Sequence, residues 1–407
     1  MKVSERTAGV EYAIRDIITH AREYEKKNGK NVIYLNIGDP VQYDFPTPDH
    51  IKNALIKAVQ NNENYYTASE GLPELRQAIV EKEKGKGFDV TENDVLVTNG
   101  VSEALDMTLA SVVSPGDEIL MPGPHYPPYA SYAKFYGGKP VEFKIHPDGK
   151  PDVDDLKSKI NSKTSAICLI SPNNPTGEVF SLNDLKNIVD IAAAQQNDMY
   201  IICDEIYDKI VFDDNFSGIG RVSKDLPVIL LNGFSKVYLM TGWRCGYMCI
   251  NSRSSKLDDF RINVPKLARV RIAANLPVQK AAVQALRGPQ YHIIEMVHKL
   301  RRRRDYIIKR LNSIPGVSST LPKGAVYVFP KIDLAGRWKN DLEFVIDLLN
   351  KTGVLTVHGS GFGSTFGSDH FRIVYLANED LLEQAMDRLE TFLAVATNKQ
   401  TPSNLNA

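Results

Sequence analysis

The chain has 407 residues, 43% hydrophobic and 24% charged, an ordinary balance for a folded protein and enough length for two domains or one large domain with an appendage. Lys plus Arg and Asp plus Glu both number 49, so no overall field draws the chain to nucleic acid or to an anionic membrane. No run of about 18 apolar residues is present to span a bilayer, and the opening M-K-V-S-E-R-T-A-G-V-E-Y lacks the apolar core of a signal peptide.

Residues 11–28 carry a helical apolar pattern (Ile14, Ile17, Ile18, Ala21), and V-I-Y-L-N-I-G reads as a strand ending at Gly38. Thr47-Pro48 has the form of an N-cap followed by Pro at the first helical position, starting a helix to about Gln60. Gly71-Leu72-Pro73-Glu74 opens another, reaching Lys84. From Asp94 the pattern predicts strand 95–97, helix 102–113, strands 118–121 and 164–170, helix 182–194, and strands 199–203, 228–231 and 247–250. Apolar strands alternating with amphipathic helices predict an α/β fold with a mostly parallel sheet covered on both faces. Ligands bind such sheets beyond the carboxyl ends of the strands.

After Gly288-Pro289 a long helix is predicted to about Asn312. It contains Arg301-Arg302-Arg303-Arg304, the one basic cluster, read as a solvated helix face. A strand pair at 317–320 and 325–330, a helix at 341–349, strands at 354–357 and 371–375, and a closing helix at 381–394 suggest a smaller α+β unit. Residues 398–407 are polar and read as a disordered tail. Cys168, Cys203, Cys245 and Cys249 each lie in an apolar run, with no CxxC and no His at ligand spacing. Buried reduced thiols of a cytoplasmic protein are expected, with no metal site and no disulfide.

The polar motifs fall mainly at strand ends. Asp204 ends the apolar run 200–203, with Tyr207 three residues on. Asn174 lies in a loop between two prolines, and Ser102 near a helix N-terminus that favours an anion. Ser235 and Lys236 follow another buried strand, and Arg244 can reach the same side. A Lys at the end of a buried strand is costly unless paired or chemically used. Taken singly, each residue has an ordinary explanation as a cap, turn or loop residue. Together they match one ligand's needs: an amine for a Schiff base, an acid at a pyridine nitrogen, donors at a phosphate, and Tyr126 as a flat face. That ligand is pyridoxal phosphate.

In N-Y-Y-x-x-x-x-G-L-P-E-L, P-H-Y-P-P-Y, S-P-N-N-P-T-G, D-E-I-Y, S-K-x-x-x-x-T-G-W-R-x-G-Y and the late Phe371-Arg372, the chain resembles a class I aminotransferase of the aspartate aminotransferase superfamily, fold type I. The motifs run in the family's order from about Tyr12 to Leu393. V-E-Y-A-I-R-D, L-N-I-G-D-P, N-G-x-S-K-V-Y and V-H-G-S-G-F-G are closest to the archaeal alanine aminotransferases. The resemblance implies a large domain over residues 47–296 with a mostly parallel seven-stranded sheet. It also implies a small domain from residues 1–46, which include an active-site lid, and 297–397. Lys236 then holds the cofactor and moves the Cα proton, Asp204 keeps the ring nitrogen protonated, and Tyr207 and Asn174 bond the phenolate oxygen. Tyr126 stacks on the ring, while Val101, Ser102, Ser235 and Arg244 bind the phosphate. Tyr66 reaches the phosphate of a neighbouring subunit, implying a homodimer with shared sites. Arg372, Asn174 and Gly38 take the substrate α-carboxylate.

One position departs from the pattern. Many relatives have Ser or Thr three residues before the Lys, where this chain has Gly233; one fewer hydroxyl on the phosphate is expected. For specificity, Arg269 and Arg271 lie where aspartate-specific relatives bring a second Arg, but neither aligns well. Tyr12 and Arg15 match the lid of alanine-type relatives, with Arg15 meeting the distal carboxylate of glutamate. The expected activity is ping-pong transamination between L-alanine and 2-oxoglutarate. The alternatives are an aspartate, aromatic or broad-specificity aminotransferase, or a carbon–sulfur lyase or decarboxylase of the same fold. A nicotinamide dehydrogenase has only G-S-G-F-G-S-T-F-G in its favour, with Phe366 where the third Gly belongs.

Overall fold

The computed structural model describes residues 1–398 apart from positions 2, 196–197, 214–215 and 335. The tail reading for 398–407 therefore lies, past its first residue, outside the described residues. Seven strands form the central sheet, in the spatial order Val95–Thr98, Gly246–Ile250, Val228–Gly233, Tyr200–Asp204, Thr164–Ile170, Glu118–Gly123 and Lys139–Lys144. Neighbours are parallel except at Gly246–Ile250, which runs antiparallel to both strands beside it. Every residue of Val228–Gly233 and Gly246–Ile250 is buried, so both faces of the sheet centre are covered. This is why those strands read as continuous apolar runs instead of alternating ones.

The edge strand Lys139–Lys144 escaped the pattern. Its sequence, K-P-V-E-F-K, ends in exposed lysines and carries Pro140, features that blunt a sheet edge and erase a strand's apolar signature. The helix predicted from Pro48 begins one residue later, at Asp49–Gln60, and Thr47 is not its cap. The Thr47 hydroxyl instead donates to the Leu239 carbonyl at 2.5 Å, tying this helix to the loop beyond Lys236. The strand pairing expected between 317–320 and 325–330 does not form. Val317–Ser318 pairs with Lys331–Ile332, while Tyr327–Val328 joins Phe371–Val374 and Val357–His358 in a three-stranded antiparallel sheet. Ile33–Tyr34 pairs in parallel with Val354–Leu355, so the N-terminal segment is built into the C-terminal third of the chain.

The arginine run is not a solvated face. Four consecutive residues sweep most of a helix circumference, so some must point inward. Arg303 is fully buried, bonded to Asp44 at 2.7 Å, the Leu376 carbonyl at 2.6 Å and Glu379 at 3.2 Å. Arg304, also buried, donates to Asp213 and to the Pro322 carbonyl. The helix Tyr291–Ser313 thereby binds segments from both ends of the chain.

A second buried ionic cluster underlies the strand end at Asp204. Lys86 from helix Pro73–Gly85 reaches Glu83 at 2.8 Å, Glu205 at 2.5 Å and Asp208 at 3.0 Å. Lys82 meets Asp208 at 2.9 Å and the Tyr247 hydroxyl at 3.0 Å, and Tyr247 donates to Glu83. Burial alone would lower the Lys86 pKa, but Glu205, Glu83 and Asp208 outweigh it and hold the ammonium well above its ordinary value. Removing one partner from such a cluster strands the others without water. Lys86→Met should cost about 3–5 kcal/mol of stability, read from its urea midpoint. Arg253→Met, which breaks an exposed pairing with Asp89 and Asp225, should cost under about 1 kcal/mol; equal shifts would contradict this account.

Candidate active site

At the carboxyl ends of the parallel strands lies a cavity of about 900 Å³. Lys236, Asp204, Tyr207, Tyr126, Asn174, Ser235, Arg244, Val101, Ser102, Gly38, Arg372, Tyr12 and Arg15 all line it. Among the sequence-predicted site residues, Tyr66 alone does not; it is 79% exposed at the surface.

Lys236 follows the strand Val228–Gly233 on a loop anchored by the fully buried Phe234. Its ammonium donates to the Gly38 carbonyl at 2.5 Å. Burial drives its pKa down to about 8, with Arg372 and Arg244 adding repulsion against the attraction of Asp39 and Asp204. A substantial fraction of neutral amine near physiological pH makes it a competent nucleophile and base.

Asp204 closes the strand Tyr200–Asp204. Burial raises its carboxyl to about 6, against bonds from the Ile206 N–H and the Tyr129 hydroxyl. Tyr129 was missed at the level of sequence. It sits on the helix Pro127–Phe135, which P-H-Y-P-P-Y disguises as a turn, one helical turn beyond Tyr126. An acid held in a dry site at that pKa is suited to pair with a cation placed against it.

At the other end of the cavity, helix Val101–Val112 starts at Gly100 without any side-chain cap, leaving its first N–H groups for an anion. The Arg244 guanidinium lies across that terminus. A Cβ on Gly100, whose φ is +84°, would fall 2.4 Å from Nη2. Gly233 has a packing reason as well: a Cβ there would meet Val101 Cγ2 and the Cys245 carbonyl oxygen, both at 3.0 Å.

Arg372 is 1% exposed and bonds neutral partners, Asn174 Oδ1 at 2.9 Å and the Asn36 carbonyl. Its Nε has no partner, and its guanidinium is sandwiched by Tyr327 and Phe362 at 4.6 and 4.8 Å. Among the described residues no carboxylate pairs with it. A buried cation without a counter-charge is expensive, and a planar one with free donors is shaped for a carboxylate.

Of the other arginines considered, Arg271 is engaged by Glu103 and the Ser69 and Val97 carbonyls, and Arg269 by Glu70. Neither lines the cavity. The Gly-rich stretch G-S-G-F-G-S-T-F-G is a packing loop: Phe366 covers Gly123, the His125 N–H donates to the Phe362 carbonyl, and Gly363 abuts Glu142. No strand-to-helix phosphate turn forms there.

Residues 30–389 match the family Aminotransferase class I and II. The chain belongs to this family. The glutamate-pyruvate aminotransferase AlaA of Haemophilus influenzae is 38% identical, covering 96% of this chain and 98% of its own length. Among solved structures, the alanine aminotransferase of Pyrococcus furiosus superposes with a TM-score of 0.93 at 51% identity, over 97% of this chain and 100% of that one. The aspartate aminotransferase of Thermus thermophilus, solved with maleate, gives 0.86 at 28% identity, over 96% and 99%. The aminotransferase thus has the fold type I architecture.

In this aminotransferase the Lys236 amine should be unusually reactive. In protein free of cofactor, chemical labelling of Lys236 followed by mass spectrometry should be half-maximal near pH 8, since the group is neutral above its lowered pKa. A midpoint at the ordinary lysine value would show that the cavity does not desolvate it.

Proposed function

We propose that this aminotransferase binds pyridoxal phosphate at Lys236 and moves the amino group of L-alanine to 2-oxoglutarate in two half-reactions, yielding pyruvate and L-glutamate. The observation that carries the reading is the sharing of one cavity by Lys236, with its lowered pKa, and Arg372, a buried cation with no carboxylate of its own. The donor set fits the cofactor: a reactive amine, a buried acid, and an anion site made of a bare helix N-terminus, Ser102, Ser235 and Arg244. When bound, pyridoxal phosphate supplies an aldehyde that captures the substrate amine and a ring that takes up the electron pair left as the Cα–H bond breaks.

The residues divide the work. Asp204 would hold a proton on the ring nitrogen, with the cation facing it favouring the carboxylate form. Tyr207 and Asn174 donate to the phenolate oxygen, and Tyr126 covers the ring. Arg372 and Asn174, with the Gly38 backbone, fix the α-carboxylate so that Cα faces Lys236. Lys236, released by the incoming amine, accepts the Cα proton and returns it on the other side of the transfer. Tyr12 closes the mouth, its hydroxyl 3.1 Å from that of Tyr126, and the crowding of Tyr12, Tyr126 and Tyr327 favours a methyl side chain. Arg15 has no ion pair among the described residues and lies on the cavity wall, free to meet the distal carboxylate of 2-oxoglutarate. The 38% identity to a glutamate-pyruvate aminotransferase supports the same substrate pair.

The assembly is a homodimer. Tyr65 and Tyr66 are 66% and 79% exposed and Val270 and Ile272 85% and 50%, on two segments that the Arg271–Ser69 and Arg269–Glu70 bonds tie together. A partner subunit covering this apolar surface would receive Tyr66 at its phosphate site. Residues 1–46 and 297–397 form the small domain and 47–296 the large one. The four free, buried cysteines suit a cytoplasmic enzyme.

Purified protein should show the visible absorbance of bound pyridoxal phosphate, and Lys236→Ala should lose it; a colourless wild type that takes up no added cofactor would sink the reading. Across a panel of donors with 2-oxoglutarate, alanine should give the highest kcat/KM. Arg372→Leu should lower kcat/KM for every substrate by roughly 100-fold or more, about 2.7 kcal/mol. Arg15→Ala should raise KM for glutamate and 2-oxoglutarate while sparing alanine; unchanged values would remove Arg15 from the lid.

A further inference from the structure

Tyr207 does not face the cavity alone. Its hydroxyl lies 2.6 Å from that of Tyr327, and the two buried rings meet edge-on with centroids 5.7 Å apart. Tyr327 was not singled out by the sequence. It stands on the short strand Tyr327–Val328, which pairs with the strand carrying Arg372. Its ring lies 4.6 Å from the Arg372 guanidinium. Its hydroxyl fills the space above Gly38, where a Cβ would come within 2.4 Å of the oxygen. Gly38 in turn accepts from Lys236. One side chain therefore touches the residues proposed for the phenolate oxygen, for the α-carboxylate and for the resting position of the amine.

The direction of the tyrosine–tyrosine bond follows from proton counting. A phenol has one proton to give and lone pairs to accept with. If Tyr207 gives its proton to the cofactor's phenolate oxygen, it has none left for Tyr327, so at 2.6 Å the shared proton must be Tyr327's. A hydroxyl that accepts one hydrogen bond becomes a stronger donor in the next, and the effect is larger in a dry site.

We propose that Tyr327 is a positioning residue of the amino-transfer site: it donates its hydroxyl to Tyr207, directing the Tyr207 proton onto the cofactor's phenolate oxygen, while its ring shelves Arg372. This rests on the pyridoxal phosphate reading above. The phenolate oxygen carries its least shielded negative charge once the nitrogen joining Lys236 to the cofactor has lost its proton. A stronger donor on that oxygen therefore favours the unprotonated form and lowers the pKa of the visible chromophore.

Tyr327→Phe keeps the ring beneath Arg372 and removes only the hydroxyl. In a pH titration of the holoenzyme's absorbance, its chromophore pKa should rise by roughly 0.4 to 1 unit, one net hydrogen bond's worth of about 0.5–1.5 kcal/mol converted at 1.36 kcal/mol per unit. Tyr207→Phe should raise it further, and adding Tyr327→Phe to Tyr207→Phe should then change nothing, because the second hydroxyl acts through the first. The amino acid KM should stay near wild type, since the shelf is intact. An unmoved midpoint in Tyr327→Phe, or the same shift persisting in the Tyr207→Phe background, would overturn the proposal and leave the cofactor assignment standing. A wild type with no chromophore would overturn both.

Discussion

Charge kept from water is the constraint that organises this molecule. Lys236 and Arg372 are held in one cavity, and among the described residues no carboxylate is bonded to either. The burial that depresses the Lys236 pKa to about 8 is the same burial that makes Arg372 costly to leave unpaired. An isolated buried cation would neutralise or unfold its surroundings. Here the cost is spread over Tyr327 and Phe362 stacked on the guanidinium and over neutral oxygens of Asn174 and Asn36. The site is therefore poised for an anion, which is what the proposed α-carboxylate role of Arg372 uses.

That arrangement needs a stiff base, and the far side of the sheet end supplies one. The strand ends at Asp204 and the chain turns through 206–209, so Asp204 and Tyr207 line the cavity while Glu205 and Asp208 enter the Lys82–Lys86 cluster. Asn232, just before Gly233, bonds Asp208 as well. Two strand ends that carry cavity residues are thus pinned from behind by the same five charges. The two sides of the turn differ: on one, five charges are held in mutual ion pairs and fix geometry; on the other lie the residues proposed for the cofactor.

The sheet was legible because its strands are buried on both faces and read as unbroken apolar runs. Thr164–Ile170 was predicted to the residue. Lys139–Lys144 was not, because an edge strand with lysines and a proline looks like loop. The cavity residues at the ends of buried strands were legible for the same reason, since Asp204 and Lys236 interrupt apolar runs where a bland residue would do. Tyr129 and Tyr327 were hidden because a tyrosine in an apolar or proline-rich context looks like core; only the fold shows what each hydroxyl reaches. Arg303 and Arg304 were hidden by their neighbours, since a run of like charges suggests a wet surface and gives no hint which members turn inward.

The same logic separates reaction type from substrate choice. Residues proposed for the cofactor sit on consecutive strand ends of one rigid sheet, so a short local motif suffices to encode each. Those that bound the substrate side come from Tyr12 and Arg15, from Gly38, and from Tyr327 and Arg372, segments far apart in sequence and joined only by two- to four-residue strand pairings and loop packing. Their relative placement is a property of the assembled surfaces, and a displacement of Tyr327 moves Arg372, Gly38 and Tyr207 together. On the proposed reading, selection among amino acids therefore rests on how these segments pack on the sheet and not on any single strand-end motif.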